Sequence, residues 1–147
     1  MGIFMKTLPE RLNYKGQKRI AIINADKNFR LEPHKEIKDM QIDNEIDLRY
    51  PYDFMIIFVR NGTEVKEITP GVLHNLAVDG ILWFSYPKKS SKKYSTDIDR
   101  DHGWKPLNDL EFFGIRLVAI DDDWSAMRFR NIKYIKATSD RFAGKKV

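Results

Sequence analysis

At 147 residues the chain has the length of one domain with one ordinary hydrophobic core, and its 42% apolar and 12% aromatic content excludes a disordered polypeptide. The formal charge of +5 is unevenly placed: residues 131–147 hold Lys133, Lys136, Arg141, Lys145 and Lys146 against the single acid Asp140, a local +4, so the rest carries only +1. The absence of cysteine removes disulfides, thiolate metal sites and cysteine nucleophiles, and no apolar run nears the roughly 18 residues that span a bilayer.

The N-terminus lacks the apolar block of a secretory signal, and Lys6 stands where a myristoylation motif needs Ser or Thr. A cytoplasmic location without a membrane partner is the expectation. Residues 8–14 read as a short helical turn ended by Lys15-Gly16. Arg19 to Ala25 is nearly continuous in apolar character, which suits a parallel strand covered on both faces. Between Asp26 and Pro51 the pattern predicts a short helix near Glu32 to Met40 and a polar strand near Gln41 to Ile46.

Tyr52 to Arg60 is the clearest strand. Asn61 stands three residues before Glu64, a capping-box-like start for a helix carrying Val65, Ile68, Val72, Leu73, Leu76 and Ala77 at helical spacing. Pro70 is expected to kink or restart that helix, and Asp79-Gly80 to stop it. Ile81 to Tyr86 is the next buried strand, followed by a polar loop from Pro87 to Ser95. Thr96 and Asp99 form a second capping-box pattern, predicting a helical region to about Phe113, broken near Gly103 and Pro106. Arg116 to Asp121 and Trp124 to Arg130 read as strands joined by the Asp122-Asp123 turn, hence antiparallel. The expected fold is a single doubly wound, mostly parallel α/β sheet over 1–130, with helices on both faces and a C-terminal antiparallel hairpin. Residues 131–147 are expected to form a basic tail, partly ordered at best.

Lys15 to Ile20 resembles the approach to the first strand of class I methyltransferases. Tyr52-Asp53-Phe54-Met55-Ile56 resembles their fourth strand, Asp79-Gly80-Ile81-Leu82 the entry to their fifth, and the closing hairpin their sixth and seventh. YPKKSSKKYSTDIDRDHGW and IDDDWSAMRFR are also similar to an uncharacterised bacterial family of small Rossmann-like proteins, which carries no established activity. The resemblance covers most of residues 8–130 and implies a truncated, degenerate methyltransferase-like scaffold. Against an S-adenosylmethionine site, the turn after the first strand, Asn24-Ala25-Asp26-Lys27-Asn28, has no glycine to permit close backbone approach. Residues 26–52 hold one compressed βαβ unit rather than the full set. Asp43, Glu45 and Asp47 are the acids available to imitate the ribose-binding one. No cofactor is expected.

Lys88, Lys89, Ser90, Ser91, Lys92, Lys93 and Thr96 leave the carboxyl end of a parallel strand and lead to the expected helix start, the edge where open α/β sheets bind ligands. Lysines, hydroxyls and free N–H groups there would suit a phosphate or nucleic acid; against this, Asp97, Asp99 and Asp101 can satisfy the helix dipole internally. Asp121 and Asp123 share a strand face and are weak candidates for a hard cation such as Mg²⁺, although Asp is also an ordinary turn former. His34, His74 and His102 lie at no metal-motif spacing; His102, beside Asp99 and Asp101, is the acid–base candidate, set against a surface salt bridge. His74 reads as a helix boundary residue, and Trp83, Trp104 and Trp124 as core or anchor residues. No catalytic residue is assigned.

Three functions follow. The favoured one is a non-catalytic binding or interaction module that has lost the cofactor site, with a protein or anionic small molecule as partner. The second is an enzyme or binding protein for a phosphorylated or nucleotide-like ligand at the Lys88–Asp101 edge. The third is a nucleic-acid-associated protein using the basic loop and tail.

Overall fold

The structure, a computed structural model, describes residues 6–31 and 40–135. Six strands form one sheet in the order β2-β1-β3-β4-β6-β5. They are β1 (Arg19–Ile23), β2 (Gln41–Asp43), β3 (Tyr52–Phe58), β4 (Leu76–Pro87), β5 (Phe112–Ala119) and β6 (Trp124–Asn131). The pairs β1–β2, β1–β3 and β3–β4 are parallel, whereas β6 runs antiparallel to both β4 and β5. The expected mostly parallel sheet with a closing antiparallel hairpin is therefore the architecture observed.

Strand alternation divides the core into two layers. Met55, Ile57 and Val59 point to one face with Leu82, Phe84 and Phe129, where Val65 and Val72 of α2 (Gly62–Asn75) and Leu107 of α3 (Lys105–Asn108) cover them. Phe54, Ile56 and Phe58 point to the other face with Trp83, Trp124 and Ala126. That face is covered by Leu8 and Leu12 around the short α1 (Leu8–Arg11), and by Tyr14, Phe29 and Leu31. A side chain of this size contributes about 1.5–3 kcal/mol when fully buried, so the two layers, not any single contact, hold the sheet. We call them the helix face and the N-terminal face.

Three expectations change. The helix opened by Asn61 runs through Pro70 as one element and ends at Asn75, two residues before the apolar pattern does. Leu76 and Ala77 suit either period, and Leu76 pairs with Tyr52 at the start of β4. Asn75 fixes the boundary: it is buried, and its Nδ2 donates to the Asp47 and Tyr50 carbonyls, each at 2.9 Å.

The helix expected from Thr96 is a chain of turns. Ile98 N–H donates to Thr96 Oγ1 (3.0 Å) and Asp101 N–H to Asp99 Oδ1 (2.8 Å), so both side chains take the amide two residues on. Such bonds offer the backbone an alternative to the helix, and only the four residues of α3 are helical before Phe113. The helix near Glu32 to Met40 falls almost wholly outside the described residues, as does His34. At the C-terminus, a 3₁₀ turn (Ile132–Tyr134) follows β6, and Ile132 and Ile135 pack beside Phe113 and Ile115. Residues 136–147 of the expected tail lie outside the described residues.

Candidate functional site at the carboxyl edge of the sheet

From β1 the chain steps outward to β2, then returns to the other side of β1 as β3. The crossovers thus diverge between β1 and β3, and the carboxyl ends of these strands flank the crevice where open α/β sheets bind ligands. A depression of about 260 Å³ lies there, lined by Asn24, Val59, Glu64, Glu67 and Ile68. It is slightly smaller than the roughly 300–1,000 Å³ typical of small-molecule sites. Asn24 has φ 58°, a left-handed conformation that asparagine tolerates. The turn therefore makes a glycine-like bend while keeping its side chain.

The N-terminus of α2, which points at this edge, is occupied from within. Glu64 N–H donates to Asn61 Oδ1 (2.9 Å), and Glu64 Oε1 accepts from Arg60 N–H (2.8 Å). The Gly62 amide donates to Asp97 Oδ1 (2.8 Å), a carboxylate brought in by the loop after β4. An anion already sits where helix amides and the dipole favour one, and it belongs to the protein.

The same loop folds over the edge of the N-terminal face. Tyr94 packs on Trp124 with centroids 5.3 Å apart, and Trp124 packs edge-on against Phe58 at 5.0 Å. The Tyr94 hydroxyl donates to Asp26 Oδ1 (3.2 Å), and the Arg60 guanidinium lies 5.3 Å from the Tyr94 ring centre. Burial, then the bond to Asp26, push the Tyr94 hydroxyl above its ordinary pKa. Asp26, Arg60, Tyr94 and Asp97 escape sequence reading because their partners lie tens of residues away. Only the Asn61/Glu64 pattern signals the helix start they surround.

The lysine loop meets the same edge. Lys89 Nζ donates to the Thr96 carbonyl (2.9 Å), and Lys93 Nζ lies 3.8 Å from Asp123 Oδ2. Ser91 Oγ accepts from the Lys93 and Tyr94 amides (both 3.1 Å) and donates to Asp123 Oδ1 (2.8 Å). Ser90 and Lys92 are exposed and Lys88 half-buried; among the described residues neither Lys88 nor Lys92 forms an ion pair. The helix start that was to supply free amides beside these lysines is the run of turns described above.

Asp121 and Asp123 have structural partners too. Asp121 Oδ1 accepts from the Asp123 and Trp124 amides (2.8 and 2.9 Å), closing the hairpin turn, while Asp123 faces Ser91 and Lys93. His102 Nδ1 lies 2.8 Å from Asp99 Oδ1, with the His102 side chain 76% exposed. The Asp101 amide, then His102, hold the Asp99 carboxyl below its ordinary range. His74 is exposed, its Nδ1 3.0 Å from Asn75 Oδ1.

The acids considered for ribose binding lie elsewhere. Arg19 donates to Asp43 from Nε (2.8 Å) and to Asp47 from Nη2 (3.0 Å). Asp43 also accepts from the buried Tyr52 hydroxyl, whose oxygen in turn accepts from the Asp47 amide (3.0 Å). Burial pushes the Asp43 carboxyl up, but bonds from Tyr52, Gln41 and Arg19 outweigh it and hold the group below its ordinary range. These acids tie β2 and its following loop to the sheet. Glu45 is exposed beside them.

No family model matches the chain. No curated protein matches it either. Among solved structures, the chain is similar to one from a crystal structure of a fibrillarin/Nop5p complex, with 8% identity, 80% of this chain and 74% of that chain covered, and a TM-score of 0.47.

Proposed function

We propose that the protein is a non-catalytic binding module in which the anion position at the head of α2, on the carboxyl edge, is taken by the protein's own Asp97. The observation that carries this reading is the Asp97 carboxylate on the Gly62 amide at the head of α2, the position an external anion would take. Tyr94, on the same loop, supports it by bonding Asp26 across the edge. Under this reading the partner is a protein or an anionic small molecule that docks on an outer surface.

A thermal-shift panel of S-adenosylmethionine, S-adenosylhomocysteine, AMP and inorganic phosphate tests the reading. The expected result is an unchanged midpoint with both cofactor forms. A ligand at 100 times its dissociation constant would stabilise the fold by about 2.7 kcal/mol, and such a response to S-adenosylmethionine would overturn the proposal.

A second reading places a phosphorylated ligand at Lys88, Lys89, Ser90, Ser91, Lys92, Lys93 and Thr96. It is favoured by the carboxyl-edge position and by Lys88 and Lys92, which form no ion pair among the described residues. Under it, AMP or phosphate stabilises the parent protein, and a Lys88→Glu/Lys92→Glu variant loses that response. Equal stabilisation of variant and parent would sink it.

A further inference from the structure

The last strand of the sheet, β5, pairs with β6 on one side, and no described strand pairs with its other side. Which main-chain groups it turns outward follows from the register. The Ile120 amide donates to the Trp124 carbonyl at 3.0 Å. Antiparallel pairs alternate between bonded and unbonded positions, so Val118 and Arg116 also turn their main-chain groups towards β6. Leu117 and Ala119 turn theirs outward. Arg11 agrees with this phase, since its Nη2 reaches the Ala119 carbonyl at 2.9 Å from the N-terminal segment.

An open edge of this kind is a template for one more strand, and the side chains along it select the chemistry of that strand. Arg116 stands directly across from Arg128 on the N-terminal face, and like charges so placed are destabilising. Arg116 is exposed, and neither Arg116 nor Arg11 forms an ion pair among the described residues. Leu117 belongs to the helix face, across from Met127, and is 47% exposed. One side of the edge therefore offers cations short of an acid, and the other an aliphatic chain short of cover.

Side chains of an added strand alternate between the two faces. A carboxylate beside Arg116 and an aliphatic residue beside Leu117 answer both needs at once, and the aliphatic residue is the one whose main chain meets the outward groups of Leu117. A second copy of this chain fits poorly, because pairing β5 with itself would bring Arg11 and Arg116 of both copies to one seam. The usable stretch is Arg116 to Ala119. Before it lies the irregularity between Gly114 and Arg116, and there Ile132 and Ile135 pack with Phe113 and Ile115.

We propose that the outer edge of β5 from Arg116 to Ala119 binds an extended segment of a partner protein, added as an antiparallel strand with alternating acidic and aliphatic residues. This rests on the binding-module reading and names the surface and the class of partner.

The test is fluorescence anisotropy of a labelled peptide, Gly-Val-Glu-Val-Glu-Val-Gly, titrated with the full chain. Saturable binding is expected, and none for the peptide with Lys in place of Glu. Arg116→Gln should weaken binding about two- to fivefold, the range of one cross-strand charge pair, and Arg11→Gln/Arg116→Gln on the order of tenfold. Lys27→Gln/Lys66→Gln makes the same charge change elsewhere and should bind as the parent does. Leu117→Pro removes an outward amide without touching the β5–β6 ladder and should abolish binding. If that variant does not fold, the peptide with Pro in place of Val makes the same test from the other side, since it keeps the charge and lacks the donors. Equal binding of the Pro and Val peptides, unchanged affinity in Arg116→Gln, or no binding of the Val-Glu peptide would each overturn the proposal. Self-association of the chain that Leu117→Pro abolishes would also overturn it, by giving the edge to a second copy. The S-adenosylmethionine thermal shift reads the binding-module proposal separately: a silent peptide with no cofactor response sinks only the edge assignment, and a cofactor response beside a bound peptide sinks only the non-catalytic reading.

Discussion

Tyr86, the last residue but one of β4, is buried on the helix face, its ring 5.3 Å from that of Trp104. Burial, and then the nearby Asp99 carboxylate, push its hydroxyl up to about 12. The neutral phenol is thus favoured in the native state, while the unfolded phenol ionises near 10. The resulting stability is intact below pH 10 and is lost as pH rises towards 12, a drop of at most roughly 3 kcal/mol. Urea melts between pH 9 and 12 should show this decline in the parent and a flatter profile in Tyr86→Phe. Asp79 has the opposite sign. The Arg130 fork holds its carboxyl below the ordinary range, so its contribution is present above about pH 4 and fades as acid protonates the native carboxylate. The pair is partly exposed, and Asp79→Asn should cost on the order of 1 kcal/mol at pH 7. Melts repeated at pH 3 should show that gap closing.

At the scale of elements, the start of α2 joins local and distant sequence. Asn61 caps its own helix, which the Asn61/Glu64 spacing made legible; Asp97 caps it from 35 residues away, which no local pattern records. Removing either acceptor should cost about 1 kcal/mol, within the 0.5–2 kcal/mol usual for helix caps, measured as a change in denaturation midpoint for Asn61→Ala and Asp97→Ala. The strands were legible because β-branched and aromatic runs bounded by turn residues have few other uses. The stretch from Thr96 was not. The same Ser, Thr and Asp side chains that cap helices also close turns on themselves, and here Thr96 and Asp99 each take the amide two residues on. The candidate site suffered most from this ambiguity, since its expected amides depended on that helix. The cross-strand register was hidden differently: the alternation of WSAMRFR marks a strand, but not that Arg128 would stand across from Arg116.

For the whole molecule, the decisive link is how the N-terminal segment covers one sheet face. Residues 8–14 read alone as an isolated turn. In the fold, Leu12 is fully buried and its carbonyl accepts from Trp83 Nε1 at 2.8 Å, across 71 positions of sequence. Arg11 Nη2 reaches the Ala119 carbonyl at 2.9 Å, so this segment touches β4 and the edge strand β5 together. Trp83 is itself fully buried, and Trp83→Phe removes ring volume and leaves the Leu12 carbonyl without its donor. Those two losses predict a destabilisation of about 2–4 kcal/mol, combining roughly 1–3 for the orphaned carbonyl with the lost packing. Arg11→Ala breaks only an exposed bond and should stay within about 0.5 kcal/mol of the parent. If the segment is an integral layer, both variants keep a single cooperative transition, shifted far in the first case and little in the second. Deleting residues 1–14 should then abolish that transition, because Phe54, Ile56 and Trp83 would lose their cover together. A truncated chain that still melts sharply near the parental midpoint would show the sheet to be stable with one face open.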